Sequence, residues 1–504
     1  MIPASLTLAF ALVFAPSIVF CIGFLQPAPG LAAAALGLAA ATAVVRRTNW
    51  GERPDGNVLT AAVAIATALT LVSGIGHFFY QTDDWVVRDA LLFDLVRNPW
   101  PVAYATPGAP GLLRAPLGMY LIPALIGKAG GLGAAQAALA VQNALAIGLC
   151  LYIFARVLPA GRSRWIMLAL FVAFSGMDII PWIRQRLGGM EPLGLPHIEP
   201  WPGFFHYDSN VTEILWTPHH AIAGWALVAG YLVWRQGRIS ALALGPLFAA
   251  SGFWSLLAAA GALPIYVFAF VGDLADRKLR MPDWAIAAAS GLAALPVLFY
   301  LTRGTGEVEK GLQDMGNPEI LRSYLAMMAL EVLPFFAIAW EGRDREDRRG
   351  RNELLLIVLL LFAIPFYMLG FANDFAMRVS IPALTLLCVR SVPALAAIGR
   401  EPAMRRAIIG GIVAIGAATP AIEIWRNVTT PGTPASACNV MESLKDGPYA
   451  GSPLDYYIAP AASFDATKWL FRPALAAPLP RTIKACWPGR AYVYDRNLYM
   501  SRAK

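Results

Sequence analysis

Long apolar runs, separated by short polar loops, recur from residue 4 to residue 424. They leave the chain few choices. A helix needs about 20 apolar residues to cross the hydrocarbon of a bilayer, and only helices or closed barrels satisfy their backbone groups there. Runs at 4–26, 29–45, 57–77, 133–157, 163–181, 215–235, 239–257, 258–272, 284–302, 319–340, 353–371, 379–397 and 406–424 read as spans. The seventh and eighth form one continuous block, split at small residues. The expected fold class is therefore an all-α polytopic membrane protein with about thirteen transmembrane helices. Composition agrees, since 14% of residues are charged and 58% hydrophobic, against roughly 25% charged in soluble proteins. The first run has no charged leader and is too long for a typical signal peptide, so it reads as a retained helix.

The net charge of +8 is carried by short loops and is not a nucleic-acid signature. With 115–129 taken as a short interfacial helix, every second loop is basic. These loops hold Arg46, Arg47 and Arg53; Arg156, Arg162 and Arg164; Arg235 and Arg238; Arg277, Lys278 and Arg280; the run EGRDREDRRGR; and Arg400, Arg405 and Arg406. Positive loops stay inside, so the N-terminus is expected in the cytoplasm. Segments 78–132, 182–214, 303–318, 372–378 and the tail 425–504 then share the outer face. Two units follow: a transmembrane module over 1–424, its site formed by loops 78–132 and 182–214, and a small C-terminal extracytoplasmic segment over 425–504. Cys438 and Cys486 lie in that segment, where an oxidising compartment makes them a plausible disulfide. Cys21, Cys150 and Cys388 sit in apolar runs as small hydrophobes.

The first outer loop reads FFYQTDDWVVRDALLFDLVRNPWP from Phe78 to Pro101. Adjacent acids, Asp83 and Asp84, stand just after an apolar run. Asp84 and Arg88, and Asp94 and Arg97, are spaced to pair on a helix. A simpler reading has the acids only capping that helix. The second loop, HIEPWPGFFHYDSNVTEILWTPHH from His197 to His220, holds four of the five histidines with Glu199, Asp208 and Glu213. Thr217 followed by Pro218 is a helix start, and such a start binds phosphate. His219 and His220 fall in its first turn, with side chains expected to diverge by about 100°, poor spacing for a shared metal. The third stretch, NDFAMRVSIPAL, places Asn373 and Asp374 at a span mouth with Arg378 one turn on. Arg378 is either the partner of Asp374 or an anion clamp. Glu331, inside the tenth span, is an intramembrane acid and a site candidate for that reason. There is no P-loop, dinucleotide fingerprint, HExxH or CxxC. Sequons begin at Asn210 and Asn427.

The layout resembles the GT-C superfamily of integral membrane glycosyltransferases, in an uncharacterised bacterial branch. QTDDW stands where that superfamily keeps an acid or acid pair, followed by interfacial helices in a large first outer loop. FSGMDIIPW, ILWTPHHAIAGW and NDFAMRVSIPAL are similar to segments of the same branch. The resemblance implies a polyprenyl-phosphate-linked sugar donor and transfer at the outer face of the bacterial inner (cytoplasmic) membrane, in the cell envelope. The acceptor is a hydroxyl of a glycan, lipid or protein. Asp84 is expected as general base beside Trp85, with Asp83 in support and the swap left open. Arg378, His219, His220, Thr217, Asp374, Asn373, Arg88 and Trp85 are expected around the donor, and His206, Asp208, Glu213 and Glu199 toward the acceptor or the second loop. Trp85, Trp100, Trp201 and Trp216 either stack on sugars or anchor at the membrane surface. No cofactor is required on this reading, and a divalent metal is the lesser alternative. The rivals are a transporter or flippase of a lipid-linked saccharide and a non-catalytic subunit of a membrane complex.

Overall fold

A computed structural model describes residues 1–106, 110–189, 196–306, 308–342, 348–370, 373–436, 438–445, 456–474, 486, 487, 490 and 493. Helices α1 (Ala4–Phe24), α2 (Pro27–Val45) and α3 (Gly56–Val72) cover the first three expected spans. Next come α4 (Trp85–Arg97), α5 (Leu121–Arg156), α6 (Arg162–Ala173), α7 (Ile179–Leu187), α8 (Asn210–Trp216) and α9 (Pro218–Arg235). They are followed by α10 (Gly245–Trp254), α11 (Leu256–Ala275), α12 (Met281–Thr302), α13 (Pro318–Met327), α14 (Leu333–Gly342) and α15 (Arg348–Ala363). The order closes with α16 (Asp374–Val379), α17 (Ile381–Ala397), α18 (Ala403–Gly416), α19 (Ala418–Thr429) and α20 (Val440–Ser443). Among the described residues, eight helical stretches are long and apolar enough to cross a membrane. In the other expected spans lie the shorter helices α3, α6, α9, α10 and α15, of 10 to 18 residues.

Burial sorts these helices into layers. Almost every residue of α9 and most of α17 are buried, so they form the centre of the bundle. On α1, α2, α11 and α12, large apolar side chains such as Ile22, Leu31, Val271 and Leu292 are exposed. Water would not leave such a belt uncovered, whereas lipid tails solvate it. Where α2 meets α12, small residues allow close approach: a Cβ on Gly37 would stand 3.7 Å from that of Ala293.

Two expected segments are corrected. The run 163–181 is not one helix. It ends at Ala173, and α7 starts afresh at Ile179. Between them the Met177 N–H donates to the Leu330 carbonyl at 3.1 Å, and a Cβ on Gly176 would fall 1.6 Å from a Glu331 carboxyl oxygen. The helix yields there to a tertiary contact. The run 353–371 stops at Ala363 and turns into a strand at 367–369. The run 115–129 contributes a short helix, as its length suggested, but it joins the long span through Gly131 at φ 83°. The chain folds back there: a Cβ on Gly127 would lie 2.7 Å from that of Ala135, although eight residues of straight helix cover about 12 Å.

Small sheets tie the loops. β1 (Ile2–Pro3) pairs with β2 (Thr48–Asn49), β3 (Ala103–Ala105) with β4 (Pro110–Leu113), and β5 (Lys310–Leu312) with β6 (Tyr367–Leu369). β7 (Ile458–Pro460) adds to β4, with Leu113 opposite Ile458. The C-terminal segment is thus woven into the first outer loop rather than standing apart. It also meets the α1–α2 turn, where Gln26 N–H donates to the Leu470 carbonyl and Arg472 N–H to the Phe24 carbonyl.

Candidate functional site

The start of α4 is bolted to the end of α8. The Thr82 hydroxyl and Trp85 Nε1 both donate to the Leu215 carbonyl, at 3.1 and 2.9 Å, and Arg88 Nη1 donates to the Trp216 carbonyl at 2.6 Å. Carbonyls in the last turn of a helix lack intrahelical partners and are natural acceptors. Asp84 takes the N-cap position of α4, but its side chain makes no capping bond. It pairs instead with Arg88 at 2.8 Å and keeps 18% of its side chain exposed. Asp83 is 1% exposed. Its Oδ1 accepts the Val493 N–H at 3.0 Å and the Tyr80 hydroxyl at 3.4 Å. The capping alternative therefore accounts for the position of Asp84 and not for its carboxylate. Asp94, expected to pair with Arg97, instead accepts the Tyr104 hydroxyl at 2.5 Å and the Val440 N–H at 2.9 Å. Its burial pushes its carboxyl up to about 7.

α16 begins at Asn373, a left-handed N-cap at φ 55° that accepts the Ala376 N–H. One turn later Arg378 Nη1 donates to Asp208 at 2.7 Å and to Glu213 at 3.1 Å. The expected Asp374 partner is looser, 4.0 Å from Nε, with its side chain 39% exposed. Arg378 is thus held by three acids, not one, and its Nε and Nη2 make no hydrogen bond among the described residues. His206 Nε2 lies 3.0 Å from Asp208. Burial favours the neutral form of both acids. At Asp208 the positive charge of His206 and Arg378 prevails and holds the carboxyl well below its usual range. At Glu213 burial prevails and pushes it up to about 8.

The α9 start forms as its residues suggest, with Pro218 in the first position. The Thr217 hydroxyl does not cap it, however, because it donates to Glu213 at 2.6 Å. His219 is 6% exposed, and its Nδ1 is buried without a partner among the described residues. His220 Nδ1 meets Ser255 Oγ at 2.6 Å, and Ser255 caps α11 by accepting the Ala258 N–H. The two imidazoles do not diverge as expected: their centroids are 3.9 Å apart. A first helical turn has no preceding turn to restrict its rotamers, so adjacent rings can close on each other.

These groups converge. The Asp84 charge bears on both Arg378 and Asp374, and Arg88 and Arg378 both bear on His219. Tyr120 stands 6.4 Å from the His219 ring. Acids, cations and a helix N-terminus from three loops distant in sequence thus come within reach of one another's charge. Trp85 is fully buried and ties α4 to α8 through its Nε1. Glu199 adjoins this set, since the Asp208 charge bears on it. It is buried and accepts the Ser209 N–H at 2.7 Å. It belongs to a second, interior cluster, in which His197 meets Glu423 at 2.8 Å and Glu423 meets Arg426 at 2.6 Å. Glu331 sits at the edge of that cluster: Trp201 Nε1 donates to it at 3.2 Å and to Asp178 at 3.0 Å. Neither sequon asparagine is open to modification, since Asn210 and Asn427 are buried and donate to backbone carbonyls. Among the described residues no group of three His, Cys, Asp or Glu side chains is arranged to hold a metal ion. Cys438 and Cys486 form a disulfide. Sequence reasoning missed Tyr120, Ser255 and Tyr457. Single polar residues in apolar or tail segments gave it no spacing to read.

No protein-family model, curated protein or solved structure matches the chain.

Proposed function

We propose that the protein is a GT-C-like glycosyltransferase with about thirteen spans, a cytoplasmic N-terminus and its site at the outer face of a bacterial inner membrane. It takes a sugar from a polyprenyl-phosphate donor and passes it to an acceptor hydroxyl. The observation that carries this reading is the convergence of Asp84 with Arg378 and the uncapped start of α9. A lipid-linked phosphate needs cationic and N–H partners. Arg378 Nε and Nη2 and the His219 side chain have donor or acceptor capacity to spare. The partly exposed Asp84 carboxylate is suited to take the acceptor proton, while buried Asp83 is suited to fix the loop. The acceptor oxygen then bonds to the anomeric carbon, the bond from that carbon to phosphate oxygen breaks, and the lipid phosphate leaves. By family resemblance the anomeric configuration inverts. Asp208 and Glu213 orient Arg378.

Purified Asp84→Asn in lipid nanodiscs is expected to lose sugar transfer by roughly 10²–10⁴-fold, the usual worth of a general base, with its elution profile unchanged. Wild-type rates in both Asp84→Asn and Asp83→Asn would remove the carboxylate from the chemistry.

A further inference from the structure

Tyr457 joins the C-terminal segment to the candidate site. Its carbonyl accepts the Arg114 N–H at 2.7 Å, continuing the β4–β7 pairing by one residue. From Arg114 the chain runs to Tyr120, the neighbour of His219. The strand pairing thus sets Tyr457 beside the stretch that leads to Tyr120. The side chain is half-buried and packs on the apolar core. Its hydroxyl makes no hydrogen bond to a described residue. Arg88, Asp84 and Asp374 are the charges that bear on it. A partly buried tyrosine hydroxyl ordinarily finds a partner. This one has none among the described residues, although the charges of Asp84, Arg88 and Asp374 reach it. The same segment is held over the acid pair by Arg490, which donates to the Thr82 carbonyl at 2.7 Å and lies 5.4 Å from the Tyr80 ring centroid.

We propose that Tyr457 is a substrate-contacting residue: its hydroxyl hydrogen-bonds the hydroxyl-bearing acceptor beside Asp84, and the C-terminal segment is thereby a wall of the site. The identity of the ligand rests on the glycosyltransferase reading. The position of the wall does not.

Two measurements on the full chain test this. Asp84→Cys gives one reactive thiol at the site, because position 84 is partly exposed and the three native free cysteines are buried. Its labelling by a small water-soluble maleimide is expected to accelerate several-fold when Tyr457→Ala is added. In the Asp84 background, Tyr457→Phe keeps the ring and the fold. It is expected to raise the KM for octyl glucoside, with a polyprenyl-phosphate hexose as donor, by roughly 3- to 10-fold, the worth of one uncharged hydrogen bond, with kcat little changed. Labelling indifferent to Tyr457→Ala overturns the wall. An unchanged KM in Tyr457→Phe overturns the acceptor contact even where labelling responds. If the wild type transfers no sugar at all, the glycosyltransferase reading falls. The labelling arm then decides alone, and faster labelling keeps Tyr457 in the site.

Discussion

Asp83 accepts a backbone N–H from the C-terminal segment inside the protein, while Asp84, one peptide bond away, turns to Arg88 and stays partly exposed. Dividing the two carboxylates this way relieves the repulsion that their adjacency threatens. A parallel division governs Asp208 and Glu213, which both pair with Arg378 while His206 adds its charge at Asp208. A cation can fully compensate only one of them, and the balance leaves Glu213 raised to about 8. The consequence for stability has a definite sign. The folded protein holds the Glu213 proton more tightly than the unfolded chain, so this contribution is fully present below the ordinary glutamate value. It is lost as pH rises from there through about 8. Asp94 acts in the same direction up to about 7. Asp208, held low, acts with the opposite sign only in strong acid. Glu213→Gln should therefore flatten the fall in thermal midpoint of the detergent-solubilised protein between about pH 5 and 8. A pH profile parallel to wild type would mean that Glu213 is ionised throughout.

Elements that obey local rules were legible in the sequence, and those set by distant contacts were not. Pro218 after Thr217 announced the α9 start correctly, yet the Thr217 hydroxyl goes to Glu213, a choice that depends on where α8 ends. The break between α6 and α7 follows from the approach of Glu331 to Gly176, two residues with no local signal linking them. The C-terminal segment shows the same limit at larger range. Its cysteines suggested a bridge, but the pairing of β7 with β4 brings together residues near 112 and 459, which no periodicity encodes. The Cys438–Cys486 disulfide closes the loop that carries Tyr457. Non-reducing gels of protein from an oxidising compartment should show a mobility shift on adding reductant that Cys438→Ser abolishes. Alkylation of both thiols before reduction would dissolve the bridge as an anchor for the tail.

Across the whole molecule, the loop contacts fall into two sets that match the alternation read from the arginines. On one end, Arg238 pairs with Glu52, Arg164 with Asp55, Arg47 with Asp283 and Arg349 with Asp276. On the other, β5 pairs with β6, Arg378 with Asp208, and the C-terminal segment with the α1–α2 turn and the first outer loop. Each of these contacts joins loops of the same expected side. Such sorting follows if the intervening helices all cross one slab. It leaves the absolute direction to the positive-inside argument, on which the outer location of the site depends. Two exposed positions test that direction. Lys310 lies in β5 at the site end, and Arg277 lies at the arginine-rich end. In intact cells a membrane-impermeant maleimide should label Lys310→Cys at once, and Arg277→Cys only after permeabilisation. Background is low because the native free thiols are buried. The reverse pattern would turn the site toward the cytoplasm, where a donor presented at the outer face could not reach Asp84. Both positions labelling without permeabilisation would mean that the helices between them do not cross the bilayer as the arginines imply.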